Sequence, residues 1–152
     1  MNHLLSFEID GYQFGLHLSS VQRVVQSVEI QPLPDVSEAI AGLINVQGSV
    51  VPVLNTRKRL GLPERLLELT DLFIIASAEQ HTIALIVDSV QGIVEYTNDQ
   101  LIELIDVTVD KAPAGVLRIV DGLLLLYNPE KSLSLKEWST LAVALEQAGP
   151  QE

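Results

Sequence analysis

The sequence contains no cysteine, only 5% aromatic residues and no long hydrophobic run. Without cysteine there are no disulfides, no thiolate nucleophiles and no zinc–thiolate sites. The longest run of leucine, isoleucine and valine alone is residues 123–126, far shorter than the roughly 20 residues that a membrane-spanning helix needs. The N-terminal residues also lack the basic and apolar regions of a signal peptide. We therefore expect a cytoplasmic protein with no direct membrane insertion.

Positive charge is also scarce, with 9 basic against 20 acidic residues and a formal net charge of −11. Such a protein repels nucleic acid and anionic membranes at long range, so nucleic acid is not an expected partner. One basic cluster comprises Arg57, Lys58, Arg59 and Arg65. It contains no aromatic residue that would stack on a base. Two interpretations stay open for it: a solvated helix turn, or a docking patch for an acidic partner.

Motifs that mark catalytic, cofactor or metal sites are missing as well. The three histidines, His3, His17 and His81, have no second ligand type at a spacing that suits a metal. The sequence has no nucleophile elbow, no P-loop and no dinucleotide-binding glycine motif. With 20 carboxylates in 152 residues, close acidic pairs are inevitable and need no catalytic role. We expect no catalytic residue, no cofactor and no metal, and hence no enzyme.

The sequence is instead rich in aliphatic residues and carries an internal repeat. It is 47% hydrophobic, which is enough to bury a core. The phrase "SVQRVV" at residues 20–25 returns as "SVQGIV" at residues 89–94. The match extends when Tyr12 is aligned with His81, and it is strongest at alternate positions, which is typical of strands with one buried face. A second match aligns "INVQGSVVPVL" with "RIVDGLLLLYN", and so Gly48 with Gly122.

Local signals predict the elements of each unit. Asp10-Gly11 fits the two-residue turn of a hairpin, because glycine accepts a positive φ. The stretches "SEAIAGLI" and "NTRKRLGL" each suggest one or two helical turns. Ser134 and Glu137 form a capping box that begins a helix, with an apolar stripe in which Trp138 is the expected core anchor. Five short strands per unit would close into two small barrels that share an interface.

Together these pieces resemble the CheW family, the adaptor domain of bacterial chemotaxis arrays. The resemblance runs from about Leu5 to Leu145. It rests on the order of four pieces: "FEIDGYQFGLHLSSVQRVV", "PLPDVSEAIAGLINVQGSVVPVLNTRKRLGL", "IALIVDSVQGIV" and "VDGLLLLYNPEKSLS".

The resemblance implies an all-β fold of two intertwined, five-stranded SH3-like barrels with a pseudo-twofold internal repeat, short helical turns and a C-terminal helix. Residues 1–152 would form a single CheW-like domain. Its barrel units would cover roughly residues 12–70 and 81–133 and exchange strands, and the helix would cover about residues 135–147.

The resemblance also implies a function: a non-catalytic adaptor that couples the cytoplasmic tip of a chemoreceptor to the regulatory domain of a CheA-like histidine kinase. Two alternatives stay open. One is a stand-alone CheW-like regulatory module of a non-chemotaxis or surface-motility pathway. The other is a small-molecule-binding barrel, since paired barrels leave a cleft.

The sequence departs from the family pattern at polar positions of the first unit. Arg23 stands where the family commonly has glutamate, Gln47 where it has arginine, and Asn55-Thr56 where it has aspartate before leucine. These changes reflect either neutral drift or a surface that rejects the family's standard partners. The expected partner-binding residues are Arg23, Gln47, Gly48, Val50 and Val51 in the first unit, with Gly92 and Val94 in the cleft between the barrels.

Overall fold

The described residues form two β-sheets, two α-helices and three short 3-10 helices. The computed structural model describes residues 1–78, 80–103, 115–120 and 122–148. The strands are β1 (Asn2–Ile9), β2 (Tyr12–His17), β3 (Val21–Gln26), β4 (Ile40–Val46), β5 (Ser49–Leu54), β6 (Leu72–Ala78), β7 (His81–Val87), β8 (Ser89–Tyr96), β9 (Leu101–Glu103), β10 (Gly115–Ile119) and β11 (Gly122–Leu126). The helices are α1 (Thr56–Leu60) and α2 (Leu135–Ala148).

The order of the strands confirms the predicted pseudo-twofold repeat. One sheet has the order β3-β6-β7-β5-β4, and we call it barrel 1; the other has the order β8-β1-β2-β11-β10-β9, and we call it barrel 2. The five strands of barrel 1 correspond one by one, in this order, to the first five strands of barrel 2. Each barrel also contains one parallel pair, β5 with β7 and β11 with β2. The N-terminal hairpin β1–β2 pairs with strands from the second half of the chain, so the barrels are intertwined.

Three groups of apolar side chains hold the barrels together. The largest lies between the barrels and includes Phe7, Phe14, Ile74 and Leu85, each at most 2% exposed. Smaller groups fill the interior of barrel 1, around Phe73, and of barrel 2. Successive residues of a strand face opposite sides, and a strand such as β1 therefore supplies both the interior of barrel 2 and the shared core. Neither barrel buries its apolar surface alone.

The repeated "SVQ" phrase marks a β-bulge in each barrel. In β3, Val21 faces Ala76 and Arg23 faces Ile75, so Gln22 is the extra residue. Gln22 Nε2 donates hydrogen bonds to Ser77 Oγ (2.9 Å) and Thr82 Oγ1 (3.2 Å), which lie on the two neighbouring strands. The repeated glutamine therefore braces three adjacent strands at the bulge.

The same arrangement recurs in β8. Val90 faces Phe7 and Gly92 faces Ser6, which leaves Gln91 as the extra residue. Gln91 donates to Glu8 Oε2 (3.1 Å) and accepts from Gln13 Nε2 (2.8 Å). Val21 and Val90, the equivalent valines of the two phrases, both pack against the shared core.

The predicted alignment of the second match is wrong by one residue. The β4–β5 turn lies between Val46 and Ser49, and the β10–β11 turn lies between Ile119 and Gly122. The counterpart of Gly122 is therefore Ser49 and not Gly48. The corrected alignment pairs "AGLINVQGSVVPVL" with "AGVLRIVDGLLLLY". A shift of one residue moves each side chain to the other face of a strand, so the correction decides which residues face outward.

Only one of the two predicted short helical segments is helical. Helix α1 forms within "NTRKRLGL"; its cap is the Asn55 side chain, which accepts from the Lys58 N–H (3.2 Å), and it ends at Gly61 with φ +71°. The other stretch, "SEAIAGLI", is not a helix, since strand β4 begins at Ile40. Pairing with β5 overrides the helix propensity of its alanines.

Helix α2 begins at the predicted capping box, in which Glu137 Oε1 accepts from the Ser134 N–H (2.9 Å) and Ser134 Oγ accepts from the Glu137 N–H (3.1 Å). Its core anchor is Leu141, which is 1% exposed, and not Trp138 as predicted. Trp138 is half-buried and stacks on the His81 ring, with centroids 4.5 Å apart. Leu135 lies outside the apolar face and is exposed.

Candidate protein-binding surface

The tip of the β4–β5 hairpin presents three of the predicted partner-binding residues. Gln47 (φ +49°) and Gly48 (φ +88°) form its two-residue turn, and both are exposed. This geometry fits a type I′ turn, which requires positive φ at both positions. Asn45 Oδ1 accepts from the Gly48 N–H (2.8 Å) and closes the turn. We call Asn45, Gln47, Gly48 and Val50 the hairpin surface.

Val51 does not belong to this surface, although the sequence predicted it. Its side chain is 3% exposed and packs inside barrel 1 near Val53 and Phe73. Because adjacent residues of a strand point to opposite faces, Val50 and Val51 do not both face a partner. The half-exposed member is Val50. The predicted site therefore loses Val51.

Arg23 lies on β3, at the other end of the barrel 1 sheet from β4. It follows the bulge residue Gln22, and bulges commonly redirect the next side chain. The side chain is exposed, and within the described residues its guanidinium forms no ion pair. Arg23 thus lies on one outermost strand of the sheet, and Asn45 of the hairpin surface lies on the other, β4.

Gly92 and Val94 lie on β8, at the edge of the barrel 2 sheet, and not on the hairpin surface. Gly92 has φ +135°, and a Cβ placed there would meet no atom within 4 Å. Val94 is half-buried against the interior of barrel 2. The outward residue between them is Ile93, which is 58% exposed. Ile93 was not among the predicted residues, although the alternation of β8 points to it once Val94 faces inward.

A cavity of about 420 Å³ adjoins the hairpin surface. Its lining residues are Glu29, Gln31, Leu43, Ile44, Asn45 and Val50. The segment at Gln31 forms one wall, because Gln31 and Leu43 exchange two backbone hydrogen bonds of 2.8 Å. Gly42 permits this approach, since a Cβ there would lie 2.2 Å from Gln31 O. A glycine inside a strand pattern is the sequence signal for such close contact between backbones. Gly42 carries that signal, but it was not among the predicted site residues.

Arg57 and Arg65 of the basic cluster form ion pairs within the chain, whereas Lys58 is exposed on helix α1. Arg57 pairs with Asp10 (3.1 Å) and Asp88 (2.8 Å), and Arg65 pairs with Asp71 (2.7 Å) and Asp88 (2.9 Å). We call these five residues the carboxylate network. Asp10 lies in the β1–β2 turn of barrel 2, and Asp88 joins β7 to β8. The network therefore links the two barrels.

Asp71 is the most buried member of the network, at 1% exposed. Its carboxylate accepts from Arg65 through both oxygens and from the Glu68 N–H (2.8 Å). Burial alone would raise the pKa of Asp71, but the hydrogen bonds from Arg65 and Glu68 and the neighbouring positive charges hold that pKa below its usual value. The hydrogen bond to Asp71 and the negative charges of Asp71, Asp88 and Glu68 raise the pKa of the Arg65 guanidinium. Both groups are charged at neutral pH.

Among the residues that the structure describes, no arrangement suits metal binding and no helix suits a membrane span. In the described part of the chain, no cluster of three or more histidine, aspartate or glutamate residues is placed to hold a metal ion. Within the same residues, no helix has the length and hydropathy to cross a bilayer. The hairpin surface offers amide, backbone and aliphatic groups, which suit contact with another protein.

These features define an all-β double-barrel domain with a candidate protein-binding surface. A family model described as the CheW-like domain matches residues 3–137. That match covers both barrels and nearly the whole chain. The chain therefore belongs to the CheW-like domain family, as the ordered sequence pieces predicted.

Relatives and a solved structure agree with this assignment. The chemotaxis protein CheW of Thermotoga maritima is 29% identical over 126 residues, which cover 82% of each chain. The chemotaxis protein CheW of Bacillus subtilis is 31% identical over 121 residues, covering 78% of this chain and 70% of the relative. The crystal structure of the scaffolding protein TtCheW from Thermoanaerobacter tengcongensis superposes with a TM-score of 0.81 at 23% identity, covering 90% of this chain and 94% of that one. The predicted fold class is thereby confirmed, and the two alternative functions are not favoured.

Proposed function

We propose that this protein is a non-catalytic adaptor of bacterial chemosensory signalling. It couples the cytoplasmic tip of a chemoreceptor to the regulatory domain of a CheA-like histidine kinase, and it acts in the cytoplasm. The observation that carries the proposal is the family match across both barrels, from residue 3 to residue 137. The relatives named as chemotaxis proteins and the structural neighbour named as a scaffolding protein support it.

The architecture suits an adaptor because it holds two faces in a fixed relation. The hairpin surface and Arg23 belong to barrel 1, whereas Gly92 and Val94 belong to barrel 2. The shared core and the carboxylate network join the barrels, so a partner on one face is held at a set distance from a partner on the other. We assign the kinase domain to the barrel 1 face and the receptor tip to the barrel 2 face.

Replacing Val50 with glutamate is expected to weaken binding of the kinase regulatory domain at least tenfold. The half-buried valine lies beside the exposed turn, where a charge would be desolvated on binding without a partner. The measurement is calorimetric titration of parent and variant against the purified domain. Val120→Glu is the matched control, because Val120 is fully exposed in the β10–β11 turn of barrel 2. Equal affinities for parent and Val50→Glu, with the fold intact by circular dichroism, would remove the kinase from the barrel 1 face.

A further inference from the structure

The cavity beside the hairpin surface combines an apolar floor with a polar rim. Leu43, which is 8% exposed, forms the floor with the half-buried Val50, whereas the side chain of the neighbouring Ile44 packs inside barrel 1. Glu29, Gln31 and Asn45 form the rim. A volume of about 420 Å³ lies at the low end of the range for small-ligand sites. A single long side chain of a partner is of suitable size for it.

The rim is rich in hydrogen-bond acceptors and carries a negative charge. Glu29 forms no ion pair within the described residues, in contrast to the paired carboxylates of the network. Gln31 Nε2 donates to Pro32 O (3.5 Å), which leaves the amide oxygen as an acceptor. Asn45 Oδ1 already accepts from the Gly48 N–H, so Glu29 and Gln31 supply the main acceptors. Glu29 is exposed, so a cation of a partner can reach its carboxylate.

The walls of the cavity are fixed before any partner arrives. The two backbone hydrogen bonds between Gln31 and Leu43 hold one side, and the turn closed by Asn45 holds the other. Gly42 keeps the wall at Gln31 in place, since any side chain there would collide with it. Such preorganisation lowers the entropy lost on binding.

We propose that this cavity receives an arginine side chain of the protein partner that binds the hairpin surface. The proposal rests on the proposed function and names one contact within it. Arginine joins a long aliphatic stem to a planar head with five N–H donors, which matches an apolar floor below a carboxylate and an amide oxygen. An apolar side chain would leave the three polar rim groups desolvated. The net charge of −11 favours the approach of a cation.

A small-molecule probe tests the cavity without the partner. n-Butylguanidinium carries the head and stem of arginine, and n-butylurea has a similar planar shape without the charge. Each is titrated into the full chain while the methyl signals of Leu43 and Val50 are followed by NMR. We expect guanidinium binding with a dissociation constant on the order of millimolar, at least fivefold tighter than that of the urea. Equal binding of the two probes would overturn the proposal.

Two variants identify the carboxylate responsible. Glu29→Gln should reduce the preference for guanidinium over urea to less than twofold. Glu95→Gln removes the same charge from an exposed position of barrel 2, where Glu95 contacts His3 (3.2 Å), and should keep the preference of the parent. A Glu29→Gln variant that binds guanidinium as the parent does would contradict the assignment.

Titration with the kinase regulatory domain separates this proposal from the proposed function. Glu29→Gln should weaken that complex at least fivefold, and Glu95→Gln should leave it unchanged. The chain could bind guanidinium selectively and yet fail to bind the kinase domain. That result would contradict the proposed function, whereas the preference of the cavity for guanidinium over urea would be established. Tight kinase binding without any guanidinium preference would overturn the arginine contact alone.

Discussion

Replacing Asp71 with asparagine is expected to lower the free energy of unfolding by about 3 kcal/mol at neutral pH. Asp71 is 1% exposed and holds Arg65 through two hydrogen bonds, and removal of one partner of a buried pair typically costs about 3–5 kcal/mol. The low end applies because Arg65 keeps its contact with Asp88 (2.9 Å). Urea unfolding followed by circular dichroism measures the change.

The pH dependence of the same two proteins gives a second test of the network. The pKa of Asp71 is lowered in the fold, so its contribution to stability is complete at neutral pH and is lost as the pH falls through that lowered value, below about pH 4. Asparagine does not titrate, so the variant should lose less stability between pH 5 and pH 2. Glu95→Gln, which breaks an exposed contact, should change the unfolding free energy by less than about 1 kcal/mol. A parallel loss in parent and Asp71→Asn would show that Asp71 is not stabilised as a carboxylate.

The double change Arg23→Glu with Gln47→Arg is expected to raise the affinity for a standard CheA regulatory domain at least tenfold. It restores the residue types that the family commonly has at these positions. Close charge contacts at interfaces contribute roughly 1.5–7 kcal/mol, and like charges repel the wrong partner. The gain should appear mostly as slower dissociation. Titration of parent and double variant at two salt concentrations measures it.

The matched control for this exchange is Arg118→Glu, since Arg118 is an exposed arginine on β10 of barrel 2. It should leave the affinity for the kinase domain unchanged at both salt concentrations. If the double variant binds no better than the parent, Arg23 and Gln47 reflect drift, and the fold assignment is unaffected.

The repeat in the sequence predicted most of the fold, because a strand with one buried face shows a local alternation of apolar and polar residues. The pairing of "SVQRVV" with "SVQGIV" located two equivalent edge strands, and Asp10-Gly11 located the first hairpin turn. The capping box at Ser134 located the start of α2. Each of these signals lies within a few residues, so no knowledge of distant contacts was needed.

Tertiary contacts decided the features that the sequence analysis mispredicted. The stretch at Ile40 has the composition of a helix, yet it forms β4 because β5 and the segment at Gln31 pair with it. The register of the second match was ambiguous because six of the eleven residues in each stretch are aliphatic, so more than one alignment pairs aliphatic residues. Val51 was therefore predicted to lie on the surface. Burial of Leu141 in place of Trp138 depends on how α2 rests on the shared core.

The candidate site was only partly predictable for the same reason. Gln47, Gly48 and Val50 are adjacent in sequence, so a family pattern placed them together. Glu29 and Gln31 line the same cavity as Asn45 of β4. No local sequence pattern predicts that these residues lie together. The clustering of basic residues in the sequence suggested an exposed surface. In the fold, Arg57 and Arg65 instead form ion pairs that join segments of both barrels.

Reconstitution of receptor, kinase and this protein tests the adaptor function most directly. The chemoreceptor signalling domain and the CheA-like kinase of the organism that encodes the chain are mixed with and without it, and the species are separated by sedimentation. We expect a complex of all three proteins only when the chain is present, and none with Val50→Glu. Equal association of receptor and kinase without the chain, or binding of the chain to neither of them, would contradict the function proposed here.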